Sequence, residues 1–265
     1  MTGSRLSRRT LWAGLAAGAG TLYLTRGYLS DVFAGELTFE PYSGLPGFRR
    51  MTGGGQSTAG SPGGTFGLFV GLEASGEADP QLEGVLASVR SEVCTALYPD
   101  HGPFDTHVPV ASFSDYNCPY CRVQTEKLAK IAEEGEIEVT WHELPLLGDA
   151  SVTAARGALA AKRQDAYLAF HRRLMRAPFQ TDRTYLSILA REIGVDEAQF
   201  VRDMDGAAVA DEIRRSQALG QVFGFIGTPA LVVGRTVVQG EIGSATMRRL
   251  IEHERNDGPI PGCLS

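Results

Sequence analysis

Val108-Pro109-Val110-Ala111-Ser112-Phe113-Ser114-Asp115-Tyr116-Asn117-Cys118-Pro119-Tyr120-Cys121 is the stretch that decides how this chain folds. Val108 to Phe113 reads as a short buried strand, Asp115-Tyr116-Asn117 as a turn, and Cys118 as the start of a helix. Val123, Leu128, Ile131 and Ala132 keep one face of that helix apolar until Gly135 ends it. Ile137-Glu138-Val139-Thr140-Trp141 then alternates as a strand, so strand, helix and strand follow in order and predict parallel pairing.

The two cysteines stand where this turn meets the helix. With Cys118 at the N-cap and Pro119 at the first helical position, the missing proline N–H costs nothing, and the free amides of Tyr120 and Cys121 can point at the Cys118 sulfur. Those donors and the helix dipole favour a thiolate, and such a position lowers a thiol pKa from about 8.5 to between about 3.5 and 7.5. Cys121, one turn on, can close a disulfide with Cys118. A purely stapling bridge gains most from a long loop, and this one closes almost none. A four-thiolate zinc site would need Cys94 and Cys263, neither of which belongs to a second C-x-x-C, so no metal is assigned. Redox chemistry is the reading that remains.

Downstream, residues 151–223 carry no clear strand signal. Helices are expected around Val152 to Arg163, Ala166 to Arg176, Thr184 to Ile193 and Ala208 to Phe223, with room for a short one after Val195. Ala230 to Val233 and Thr236 to Val238, separated by Gly234-Arg235, read as a hairpin, and Ser244 to Glu254 as a closing helix. Gly227-Thr228-Pro229-Ala230 enters that hairpin. Proline is tolerated at a strand entrance, and taken alone the motif is an ordinary turn.

Phe113 to Cys121, the helical block, and Gly227-Thr228-Pro229-Ala230, in that order, resemble the DsbA-type branch of the thioredoxin superfamily over about Val108 to Glu254. The resemblance implies an α/β, thioredoxin-like fold with an inserted α-helical domain, a nucleophilic Cys118, a buried resolving Cys121, and Pro229 in cis facing the pair. It also implies that Pro119, Tyr120, Thr228 and Pro229 support the site, that Thr228 contacts the thiols and the substrate, and that the edge beside the proline stays open to an extended peptide. The core then spans 107–150 and 224–257, the insertion 151–223 and the tail 258–265. Pro-Tyr between the cysteines, rather than Pro-His, leaves the redox poise unsettled.

Toward the N-terminus, Arg5, Arg8 and Arg9 precede the uncharged run Leu11 to Leu24, so residues 1–34 read as an export signal or an uncleaved anchor. Val32-Phe33-Ala34 offers a cleavage site. Cutting there removes four arginines and one aspartate, taking the formal charge from -6 to -9. With a sequence pI near 5.4, nucleic acid is not expected as a partner. Export, to a bacterial periplasm, also lets disulfides persist. Residues 35–106 form an extension outside the shared fold, serving as a docking segment, a spacer or a dimerisation region. Gly53 to Gly64 reads there as a mobile linker, Phe66 to Leu72 as a short strand, and Gln81 to Tyr98 as one helix.

With Cys118 and Cys121 paired, Cys94 and Cys263 are left for a structural disulfide, free or intermolecular thiols being the alternative. His142 and Glu143 follow the second strand, where a buried acid could raise a thiol's pKa or relay its proton, and an exposed loop is the expectation for them. Arg172, Arg173, Arg214, Arg215, Arg248 and Arg249 read as solvated helix faces. The function expected is an exported thiol-disulfide oxidoreductase that oxidises dithiols in cysteine-containing substrate proteins, needs no cofactor, and is recycled by a membrane redox partner. The alternatives are an isomerase or reductase, a chaperone or metal carrier on the same fold, and a thiol-dependent transferase acting on small molecules.

Overall fold

A computed structural model describes residues 36–53, 55–59, 80–99, 107–177, 181–260 and 263. In chain order its elements are β1 (Phe39–Pro41), β2 (Arg49–Met51), β3 (Thr58–Ala59), α1 (Pro80–Ser91), α2 (Val93–Leu97), β4 (Val108–Ser114), α3 (Pro119–Glu133) and β5 (Ile137–Glu143). Helices α4 (Asp149–Lys162), α5 (Tyr167–Arg176), α6 (Arg183–Glu192), α7 (Glu197–Met204) and α8 (Ala207–Val222) follow without a strand among the described residues. Then come β6 (Gly227–Thr228), β7 (Ala230–Val233), β8 (Thr236–Gln239) and α9 (Ser244–Asp257). The leader, its cleavage site and the Phe66 to Leu72 strand lie outside the described residues. Within them, no helix is long and apolar enough to cross a membrane.

The main sheet runs β1-β2-β8-β7-β4-β5. Next to the β5 edge lies β4, parallel to β5 and antiparallel to β7. Alternation along β4 and β7 sorts side chains to two faces. Val108, Val110, Leu231 and Val233 meet Leu128, Ile131, Met247, Leu250 and Ile251 from α3 and α9. Ala111, Phe113, Ala230 and Val232 meet Leu86, Val89 and Leu219 from α1 and α8, and Phe223 directly after α8. A third cluster joins Tyr116, Cys118 and Cys121 to Phe170, Leu174, Leu186 and Phe200, so the helical block is packed onto the two cysteines.

Three sequence expectations need correction here. Val123 is half exposed, and the buried face of α3 is Cys121, Gln124, Thr125, Leu128 and Ile131; at 100° per residue, Val123 sits roughly 200° from Cys121. The helix expected over Gln81 to Tyr98 is two, broken at Glu92, whose φ of -130° and ψ of 43° are non-helical. Beyond the break, Tyr98 is buried and donates from its hydroxyl to the carbonyls of Val232 and Gly234.

The third concerns the extension, which is part of the sheet. Arg49 and Arg50 of β2 pair in parallel with Thr236 and Val237 of β8. Arg49 also holds α9: its guanidinium lies 2.5 Å from the buried Glu254 carboxylate and 2.7 Å from Asp257. Glu254 accepts as well from the Thr236 hydroxyl and the Arg235 amide. Because those two donors remain when the cation is removed, Arg49→Met is expected to cost about 2 kcal/mol rather than the larger loss of an unpaired buried charge. Urea unfolding measures it, and an unchanged midpoint would show that the extension adds no stability through this contact.

Candidate active site

The turn that aims Cys118 is tied down by one carboxylate. Asp115 Oδ1 accepts from the Asn117 amide at 2.8 Å and the Ser151 hydroxyl at 2.7 Å, while Oδ2 accepts from the amides of Leu146 and Leu147 at 2.7 and 3.0 Å. Burial pushes the Asp115 carboxyl up, and these four donors oppose the shift. Through them the strand end, the loop after β5 and the start of α4 meet at one point. The Cys118 amide then donates to the Asp115 carbonyl at 3.1 Å, placing its residue at the helix N-cap with Pro119 following.

Both thiols are reduced and buried. Cys118 Sγ accepts from the Cys121 amide at 3.3 Å, lies 3.3 Å from the Thr58 hydroxyl, and as a thiol donates to the Thr228 carbonyl at 3.2 Å. The Cys118 pKa is lowered to about 6. Hydrogen bonding from the Cys121 thiol is the largest cause; burial opposes it, and the side-chain hydroxyls of Thr58 and Thr228 and the Cys121 amide add to it. Burial first, and then Cys118, hold the Cys121 thiol well above its ordinary value. The two sulfurs are thereby driven apart in acidity, one an anion near neutrality and the other a proton donor.

Thr228-Pro229 is a cis peptide bond, and Thr228 is fully buried with its hydroxyl lacking a conventional partner. Tyr120, at the second helical position, is partly buried against the helical block. The structure therefore brings Cys118, Pro119, Tyr120, Cys121, Thr228 and Pro229 together. Cys94 and Cys263 are apart from them and bonded to each other, with Cα atoms 5.3 Å apart.

Several residues were not legible as parts of this site. Arg122, directly after the pair, donates to the carbonyls of Tyr116, Met175 and Ala177. Burial draws its pKa down and charge on Cys118 and Cys121 raises it, so the guanidinium in turn favours the thiolate. Thr58 comes from a stretch read as a mobile linker. Instead, Thr58 and Ala59 pair antiparallel with Thr228 and Gly227, so the edge beside Pro229, expected open, is occupied. Glycine at 55 permits this, because a Cβ there would lie 1.4 Å from the Glu241 carbonyl oxygen.

His142 and Glu143, expected on an exposed loop, are the buried end of β5. His142 stacks on Phe113 and meets the Leu97 carbonyl, and burial lowers its pKa to about 4. Glu143 Oε1 accepts from the hydroxyls of Tyr116 and Tyr167, each at 2.7 Å. Tyr116 also lies 2.7 Å from Nδ1 of the buried His171. This network braces the helical block against the turn. Among the arginines, Arg172, Arg173, Arg214 and Arg248 do pair with surface carboxylates.

Residues 109–252 match the DSBA-like thioredoxin domain. The chain belongs to that family. The DSBA-like family is one of thiol-disulfide oxidoreductases, and its thioredoxin-like sheet with inserted helices is the architecture described above. A thioredoxin-like oxidoreductase from Silicibacter pomeroyi DSS-3 is 35% identical with a TM-score of 0.57, covering 61% of this chain and 97% of its own. The probable disulfide bond formation protein D of Bacillus anthracis is 23% identical over 167 residues, which cover 58% of this chain and 76% of that protein. A match of 24% identity over 160 residues to the Na(+)/H(+) antiporter NhaA of Herminiimonas arsenicoxydans covers 59% of this chain and 26% of that protein's length.

Proposed function

We propose that the protein is an exported dithiol oxidase, with Cys118 as the sulfur that substrates attack and Cys121 as its resolving partner. In the oxidised pair, a substrate thiolate attacks Cys118 Sγ; the Cys118–Cys121 bond breaks, a mixed disulfide forms, and Cys121 leaves as a thiolate that takes up a proton. The substrate's second thiolate then attacks its own sulfur in the mixed disulfide, releasing Cys118 as a thiolate. The substrate is oxidised by two electrons and the pair reduced by two. A membrane redox partner taking those electrons would complete the cycle. The leader-like residues 1–34 support export to the periplasm.

The observation that carries this reading is the set of donors converging on Cys118 Sγ, which stabilise the reduced pair as a thiolate. A folded-state pKa near 6, below that of an ordinary thiol, stabilises the reduced form fully above about pH 8.5. The stabilisation is lost as pH falls through about 6. At pH 7 it amounts to about 1.4 kcal/mol, which makes the pair about 30 mV more oxidising than the same pair with an ordinary thiol.

Two measurements test the proposal. Alkylation of reduced Cys118 by iodoacetamide is expected to rise with pH through a midpoint near 6; a midpoint near about 8.5 removes the thiolate argument. Equilibration with glutathione is expected to give a potential more positive than about -230 mV, and a value near -270 mV would make the protein a reductase instead.

A further inference from the structure

Cys118 is 0% exposed. A sulfur that exchanges with a protein disulfide or thiol must be reached in line by another sulfur, so some part of its cover has to move. Of the residues touching Cys118 Sγ, Cys121, through its amide and its thiol, and Thr228, through its carbonyl, belong to the turn-helix and the cis-proline loop, both built on the sheet. The third, the Thr58 hydroxyl, arrives on a strand of two residues from the extension.

That strand is the sole described partner of β6, in a two-stranded sheet separate from the main one. It is paired with the residues immediately before cis Pro229. An incoming extended peptide would use the same backbone edge. Glu241 donates its amide to the Gln56 carbonyl at 2.9 Å, the Gly55 backbone rests on Gly240 and Glu241, and Gly55 and Gln56 are themselves exposed. Gly55, Gln56, Ser57 and Thr58 carry no apolar side chain that could enter a core cluster. The contact is close, polar and short, which suits exchange rather than permanent burial.

We propose that Gly55–Ala59 is a built-in occupant of the peptide edge, covering Cys118 at rest and giving way to a cysteine-containing substrate segment. The inference rests on Cys118 being the exchanging sulfur. A tethered competitor lowers the fraction of protein open to substrate, and so raises the apparent KM by the inverse of that fraction. In the resting state Thr58 also supplies a hydroxyl to the thiolate, a donor that leaves with the strand when substrate docks.

Gly55→Val tests this in the full chain, because the added branch collides with the Glu241 carbonyl while Cys118, Cys121, Thr228 and Pro229 all keep their side chains. Alkylation of its reduced Cys118 at pH 8.5 is expected to be faster than in the native protein, and KM for a two-cysteine peptide to fall by about tenfold. Alkylation and KM both at native values would overturn the proposal. Thr58→Val, which keeps the shape, is expected to raise the Cys118 pKa by about one unit. Native-state hydrogen exchange on the unmodified protein gives a reading independent of whether the variant folds. The amides pairing β3 with β6 should open far more readily than those pairing β4 with β7, and equal protection would sink the idea. Alkylation and exchange report on the strand even if peptide oxidation proves independent of Cys118, so failure of the oxidase reading is told apart from failure of this one.

Discussion

Cys121→Ala is expected to abolish turnover while leaving Cys118 able to make one bond and keep it. The Cys121 thiol does two things at this site. It is the group that closes the disulfide, so without it the protein cannot be charged with an oxidising equivalent or expel a bound partner. It is also the largest cause of the low Cys118 pKa, so its loss should move that value up from about 6. A hydrogen bond to an ion is worth about 1.5 to 3 kcal/mol, which corresponds to an upward shift of roughly one to two units. Thr58, Thr228 and the Cys121 amide remain, so the thiol should stay more acidic than a free cysteine. Mixed with a disulfide such as oxidised glutathione, the variant should accumulate a one-to-one adduct visible by mass spectrometry. Its alkylation rate should drop more at pH 6 than at pH 8. Sustained dithiol oxidation by this variant would show that the pair is not the redox centre.

Much of this site could be read in the chain because its parts are local. The C-x-x-C lies within one helical turn of the strand that presents it, and strand and helix each declare themselves over a few residues. The five helices between β5 and β6 were largely legible for the same reason, since buried positions such as Phe170, Leu174, Leu186 and Leu189 recur at helical spacing. What was hidden depends on partners far away in sequence. A run of glycines signals freedom when read locally, yet Gly55 and Gly240 serve as thin places where two backbones touch. Strands as short as Phe39–Pro41 and Arg49–Met51 show too few residues for an alternating pattern, and the ion pairs of Arg49 place them only once α9 is present. Glu143 looked like a surface acid because nothing nearby in sequence announces the tyrosine hydroxyls at 116 and 167 that make its burial tolerable.

Replacing Cys94 and Cys263 with serine is expected to lower the unfolding midpoint by about 10 °C, a larger stability loss than that expected from Arg49→Met. The bond closes a separation of 169 residues, spanning the whole family domain from α2 to the tail beyond α9. On the chain-entropy account a loop of that length restrains the unfolded state by about 5 kcal/mol. The folded state keeps part of the attachment, because Ile260 is buried in the same cluster that Cys263 packs against, and the Cys263 amide donates to the Ile260 carbonyl. That retained packing is why about 4 kcal/mol, rather than more, is expected. The Cys118 pKa should stay near 6, since no group of the bridge touches that sulfur. Calorimetry in the presence and absence of a reductant separates the two disulfide systems: the doubly substituted protein should have lost most of the reductant-sensitive stability of the native one. A variant melting within about 2 °C of native would mean that the tail is held by packing alone and that the unfolded chain gains little from being freed.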